Sequence, residues 1–306
     1  MKRALGLAAM SLVAVFLLHG SVSAQSAKKE ELSESYRGSR QNDVEYQKIA
    51  PFKVMDNLYY VGPGFVSAWL VPTSQGVIMI DTAQEPYVDH VIDSIKKSGF
   101  ALTDIKYIIL SHGHLDHFGG AARIQELSGA HVIALEEDWR LIEAASNAPG
   151  RGGAPPPRVP KRDMVVKEGD TLSLGRQTMK FYKHPGHTPG SLSIEFTAYD
   201  NGQPHKAFVF GGPGPRGGVA GGQQFLESVD RVAQIPGIEV AVNVHSWLAS
   251  YPYPNGGILE RRDRLQQRKP GEPNPFVDPA SWREWLKRAH DGAVANLEEE
   301  KRKAAK

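Results

Sequence analysis

The stretch Ser111-His112-Gly113-His114-Leu115-Asp116-His117-Phe118-Gly119-Gly120 constrains this chain more than any other part of it. Four potential metal ligands fall within it, directly after the apolar run 107–110. Side chains of an extended segment alternate in direction, so His112 and His114 share one side and can grip one ion. Asp116 and His117 fall where the pattern turns from strand to helix, and can point at a neighbouring ion. A fold that hosts this stretch must end a strand in a sharp turn and bring further ligands to it from elsewhere. Cysteine is absent from all 306 residues, so those ligands are His, Asp or Glu. An imidazole-rich set suits zinc, and catalytic zinc keeps an open position for water beside three protein ligands.

Hydrophobic periodicity sets out the rest of the chain. Residues 53–55 and 58–61 flank Asp56-Asn57, a hairpin signal, and strand patterns follow at 66–71 and 77–80. Val88, Val91, Ile92 and Ile95 recur at helical spacing, and Gly99 can close that helix. After the strand at 107–110 come a helix from about 118 to 127 with Gly129 as its cap, a strand at 132–134 and a helix at 139–145. Residues 146–162 are a loop rich in Gly, Pro and Arg. Strand patterns return at 164–166, 171–174, 178–183, 192–197, 207–210 and 240–244, with helices at 223–234 and 282–303. Each half mixes strands with helices and ends a strand in a His-rich loop. That pattern predicts two packed sheets with helices outside, an α/β sandwich. Residues 51–306 read as one domain. Residues 25–50, polar and carrying Lys28-Lys29-Glu30-Glu31, read as a poorly ordered start.

The first residues have the pattern of an export signal. Lys2 and Arg3 precede an uncharged, mostly apolar run at 4–18, and Val22-Ser23-Ala24 fits the small-residue cleavage rule. The run is short for a bilayer span, which takes about 20 apolar residues. Cleavage after Ala24 is expected, giving a periplasmic or secreted protein with no stable membrane insertion. It removes Lys2 and Arg3 and no acidic residue, so the formal charge falls from +2 to zero. A neutral balance leaves no electrostatic footprint for nucleic acid, so the expected partner is a small-molecule substrate. The cluster Arg261, Arg262, Arg264, Arg268 and Lys269 reads as a solvated helix face. Oligomeric state is left open.

His112-x-His114-x-Asp116-His117 resembles the signature of the metallo-beta-lactamase superfamily. The strand Val77-Ile78-Met79-Ile80 ending in Asp81-Thr82 is similar to the family's strand ending in Asp-Thr or Asp-Gly, and Pro185-Gly186-His187-Thr188-Pro189-Gly190-Ser191 resembles its second metal loop. The resemblance runs through most of residues 55–250. It implies the family's four-layer αβ/βα sandwich and two Zn2+ ions. By that resemblance His112, His114 and His187 hold zinc one. Asp116, His117 and His245 hold zinc two, the last from Asn243-Val244-His245 at a strand end. Asp116 is also the implied catalytic residue, orienting a zinc-bound hydroxide and passing its proton on. His184 reads as a strand residue, and His90, His131, His205 and His290 have no ligand-like setting.

Most hydrolases of the superfamily, including glyoxalase II and many lactonases, add an aspartate that bridges both metals. The corresponding place here is Gly211-Gly212-Pro213-Gly214, which offers no carboxylate. Two subclasses of zinc β-lactamase use a cysteine ligand, which this chain lacks. The remaining subclass uses His-His-His and Asp-His-His, and the resemblance to it implies hydrolysis of the β-lactam amide. Serines that help that subclass bind the antibiotic carboxylate are missing near Pro213. Arg216 stands nearby, either as a partner for that carboxylate or as a solvated loop residue. Two other functions fit the same residues: an exported metallohydrolase of another cyclic amide, ester, lactone or phosphodiester, and a non-catalytic zinc-binding protein.

Overall fold

In the computed structural model, which describes residues 32–149, 155–246 and 253–306, alternating and doubly buried strands assemble into two sheets. The first sheet runs in sequence order through β1 (Phe52–Met55), β2 (Leu58–Tyr60), β3 (Trp69–Thr73), β4 (Gly76–Ile80), β5 (Ile105–Ile109), β6 (His131–Leu135) and β7 (Met164–Val166). Its early strands pair antiparallel, while β4 through β7 pair parallel through helical crossovers. The second sheet contains β8 (Thr171–Leu174), β9 (Gln177–Lys183), β10 (Leu192–Asp200), β11 (Gln203–Val209) and β12 (Val240–Val242) in the order β12-β11-β10-β9-β8.

Three hydrophobic clusters separate four layers. Trp69, Ile78, Ile80 and Ile109 of the first sheet share one cluster with Phe181, Ile194, Val209 and Val242 of the second. On the outer side of the first sheet, Val77, Met79 and Ile108 pack with Val88, Val91, Ile92 and Ile95 of α3 (Val88–Lys97). This is why β4 is apolar at successive positions: both of its faces are covered. On the outer side of the second sheet, Phe208 and Phe210 pack against Phe225 and Val229 of α7 (Gly218–Ala233) and Trp282 and Trp285 of α9 (Pro279–Ala304). The expected αβ/βα sandwich is the observed architecture.

Two expectations are corrected. Residues 32–50 are ordered rather than a loose start, forming α1 (Leu32–Arg37) and α2 (Val44–Gln47). Tyr36 stacks on Tyr46 with ring centroids 4.3 Å apart. Ser33 donates from its backbone N–H (2.6 Å) and its hydroxyl (2.5 Å) to Glu260, and the buried Gln47 amide donates to the Tyr36 carbonyl at 2.8 Å. Its two buried polar residues, Ser33 and Gln47, are hydrogen-bonded, while residues 38–42 are exposed. Residues 1–31, and with them the expected export signal, lie outside the described residues.

The basic cluster is likewise not a solvated face. Arg261 of α8 (Ile258–Gln266) is fully buried, its guanidinium 4.7 Å from the ring centroids of both Tyr253 and Phe276. A planar, weakly hydrated guanidinium tolerates burial between aromatic faces. Arg268 forks Asp200 at 2.8 and 2.7 Å, and only Arg264 and Lys269 of the five are exposed. No helix among the described residues is long and apolar enough to cross a membrane.

Candidate metal centre

The six expected ligands converge at one end of the sandwich, where strands of both sheets give way to loops. Beyond β5 the chain passes His112 and His114 and turns into α4 (Leu115–Phe118), which carries Asp116 and His117 and is followed by α5 (Ala121–Ser128). His187 lies in the β9–β10 connection, and His245 follows β12. One ring nitrogen each of His112, His114 and His187 lies within 4.8 Å of the others, and the same holds for one atom each of Asp116, His117 and His245. In the first group the ring centroids stand 4.6–4.8 Å apart with planes at 75–86° to one another, three rings facing a common point. In the second, Asp116 Oδ2 lies 3.6 Å from His117 Nε2 and 3.8 Å from His245 Nε2, and those two nitrogens are 3.3 Å apart. Tetrahedral zinc with bonds of about 2.0–2.1 Å would separate its ligand atoms by about 3.3 Å, so this spacing matches one ion. The rings of His112 and His117 are 3.9 Å apart, so the two groups are adjacent.

Hydrogen bonds at the far side of four of the five rings point to which nitrogen is free. The Nδ1–H of His112 donates to the Gly211 carbonyl at 2.7 Å, that of His187 to the Gly214 carbonyl at 2.8 Å, that of His117 to Asp81 Oδ2 at 2.7 Å, and that of His245 to the Phe65 carbonyl at 2.9 Å. With the proton fixed on Nδ1, the lone pair of Nε2 faces the centre. His112 Nε2 is buried without any hydrogen-bond partner. A buried nitrogen with no partner, aimed at two other imidazoles, fits a metal ligand and little else. The glycine-rich stretch after β11 therefore shapes the site directly, because its carbonyls orient two of the histidines.

Burial holds most of these rings neutral, the form that ligates. It depresses His187 to about 3, and it depresses His114 to about 4 with help from Arg216. His112 and His245 are pushed well below the ordinary histidine value by burial, with neighbouring histidines adding at His112 and Arg37 at His245. His117 is raised, because Asp116 and Asp81 together outweigh its burial. Burial would raise Asp116, but His117, His245 and His114 hold its carboxyl below the usual range.

Three residues at the site have no role that the sequence alone reveals. Asp81 ends β4 in the left-handed region (φ 57°), an unusual conformation for a residue with a side chain. Its carboxylate takes the Ser111 N–H at 2.7 Å, the Ser111 hydroxyl at 2.6 Å and His117 Nδ1–H. Asp138 is buried beside both His-bearing loops. Arg37, from α1, places Nη1 2.7 Å from His245 Nδ1. With His112, His114, Asp116, His187, His245 and residues 213–216, Arg37 lines a cavity of about 300 Å³. Arg216 is exposed at that cavity rather than turned away from it.

His184 is placed as expected for a structural histidine. It is buried, with Nδ1 2.7 Å from the Ser193 hydroxyl and its ring stacked 5.7 Å from Phe210. Gly212, at the position where a bridging aspartate is expected in other branches, is packed so tightly that a Cβ there would lie 2.6 Å from the His187 Cβ.

The sequence profile of the metallo-beta-lactamase superfamily matches residues 61–200. The structure is similar to a subclass B3 metallo-beta-lactamase of Bradyrhizobium japonicum, with a TM-score of 0.71 and 28% identity over 85% of this chain and 99% of that one. Profile and fold alike point to the metallo-beta-lactamase superfamily. A second superfamily structure, a subclass B3 metallo-beta-lactamase from a soil metagenome library, aligns with a TM-score of 0.69 and 25% identity over 84% of this chain and 99% of that one. By sequence, the chain is 33% identical to a hydroxyacylglutathione hydrolase of Maricaulis maris over 40% of this chain and 38% of that protein. It is 27% identical to a probable metallo-hydrolase of Bacillus subtilis over 42% of this chain and 54% of that protein. The chain therefore spans about half or less of the curated relatives it matches. The profile match stops short of Gly212 and His245.

Proposed function

We propose that the protein is a dizinc hydrolase that opens the amide of β-lactam antibiotics, with His112, His114 and His187 holding one ion and Asp116, His117 and His245 the other. The observation that carries this reading is two complete, adjacent ligand groups with a glycine, enforced by packing against His187, in place of a bridging carboxylate. Bound zinc supplies Lewis acidity, which makes water a nucleophile near neutral pH and polarises a substrate carbonyl. The side chains do the rest. Asp116, partly exposed to the cavity and held ionised, orients the attacking water and takes its proton.

Arg37 and Arg216 give the cavity a strongly cationic wall. Arg37 Nη1 lies 2.7 Å from His245 Nδ1, and the guanidinium also lines the cavity, where it can meet an entering anion. A β-lactam carries its carboxylate next to the scissile amide, which suits a cation beside the metal centre. The structural likeness to subclass B3 enzymes supports the same substrate class.

The test is opening of a chromogenic cephalosporin by the purified protein, with and without a zinc chelator. Chelator-sensitive turnover is expected. Absence of turnover from protein carrying two zinc ions would reject the β-lactam reading. Thioesters would then come first, because of the sequence likeness to hydroxyacylglutathione hydrolases. We further read the protein as exported to the periplasm or medium, on the pattern of residues 1–24. An intact Met1 on protein recovered from cells would reject that.

A further inference from the structure

Asp138 takes no part in the chemistry proposed above, yet it is among the most tightly held carboxylates of the chain. It sits in the first turn of α6 (Glu136–Ala145) and is 1% exposed. Its Oδ2 accepts the Gly113 N–H at 2.6 Å and the Thr188 hydroxyl at 2.6 Å, and its Oδ1 accepts the Gly190 N–H at 2.9 Å. Gly113 lies between His112 and His114, and Thr188 follows His187. One side chain thus ties together the two loops that supply the His-His-His group. The Asp-His-His group takes no residue from the 184–191 loop, so it does not depend on that tie.

The sequence of both loops is adapted to this carboxylate. A Cβ on Gly190 would lie 2.6 Å from the Asp138 backbone nitrogen, and one on Gly113 would lie 3.2 Å from its carbonyl oxygen and 3.3 Å from its carboxylate carbon. Neither loop could approach so closely with a larger residue. A ligand must be held within about 0.5 Å of its productive position for full effect.

We infer that Asp138 is a positioning residue that fixes the distance of His187 from His112 and His114 and so sets the affinity of the first metal position. The inference rests on the reading of the two groups as zinc sites. It predicts an effect confined to one of them. Asparagine at 138 keeps the shape and one acceptor oxygen, but its NH2 must face an N–H or O–H donor in place of the second oxygen.

The experiment isolates each site. In a His245→Ala background the first position is complete, and in a His187→Ala background the second is. Zinc affinity of each is measured by competition with a chromophoric chelator, with and without Asp138→Ala. The expected result is a loss of about 10–100-fold at the first position and a change under about threefold at the second. Asp138→Asn should show the same selectivity at smaller size, and carries the test if the alanine variant does not fold. Equal weakening of both positions, or of neither, would overturn the inference, since a general loss of packing has no reason to discriminate. If neither single-site protein binds zinc, the metal reading itself fails first.

Discussion

The Nε2 atoms of His117 and His245 face each other at 3.3 Å, while their Nδ1 atoms meet Asp81 Oδ2 and the Phe65 carbonyl on the far sides. Two ring nitrogens at that distance need a cation between them, a metal ion or, without one, a proton favoured on His117 by Asp116 and Asp81. Asp116 Oδ2 completes the same arrangement.

Removal of metal should therefore destabilise the fold rather than only silence it. Zinc binding that saturates one site a hundredfold over its Kd contributes about 2.7 kcal/mol. A chelator should lower the melting temperature, added zinc should restore it, and elemental analysis should find two ions per chain. An unchanged melting temperature would remove the argument made from the facing nitrogens.

Asp81 is the residue on which the second group leans. Asp81→Ala leaves His117 Nδ1 and Ser111 without their acceptor, and should weaken zinc at the second position about 10–100-fold. Asparagine adopts the left-handed conformation more readily than alanine, so Asp81→Asn should fold better while still losing affinity. Zinc titration of both variants, read beside their thermal unfolding, separates the two effects.

Arg37 and Arg216 should act on binding. Replacing either with alanine is expected to raise KM for an anionic substrate about tenfold and to change kcat much less, since the cation meets the anion in both ground and transition states. A substrate analogue with its carboxylate esterified should lose this dependence. Equal effects on charged and esterified substrates would assign both arginines to packing.

Acid should expose one further ion pair. Arg268, and after it Asn274, hold the Asp200 carboxyl below its ordinary value against a modest opposing effect of burial. Its folded pKa is thus lower than the unfolded value of about 3.9. The stabilisation is complete above that unfolded value and is lost as pH falls through the folded one. Asp200→Asn should cost about 1–3 kcal/mol in urea unfolding at pH 7 and markedly less at pH 3. A constant difference between the two pH values would exclude the pair as the cause.

Much of this architecture can be read from residue order. Strands such as β9, with Gln177, Met179 and Phe181 inward and Thr178 and Lys180 outward, declare themselves by alternation. The ligand cluster at 112–117 is local, so its spacing alone points to metal. What composition hides is burial of polar groups. Glu136-Glu137-Asp138 looks like an ordinary acidic first turn, and nothing in it reveals that the third carboxylate faces inward. Arg261 sits in a basic run that looks solvated, yet its aromatic partners Tyr253 and Phe276 come from outside that run. Arg37 belongs to a polar segment whose fold depends on distant partners. Local pattern carries no information about contacts of that kind.

The anchoring of α1 also has a consequence for the order in which the cleft can be completed. The wall bearing Arg37 is held by Ser33 on Glu260, a pair separated by 227 residues. As the chain emerges from its N-terminus, from ribosome or export channel, every ligand loop precedes that anchor. The centre can therefore take shape while one side of the cleft still lacks its lining, and the early-made cation arrives only when the last third of the chain provides its support. In chain order, the ligand residues all precede the partner that anchors one wall of their cleft.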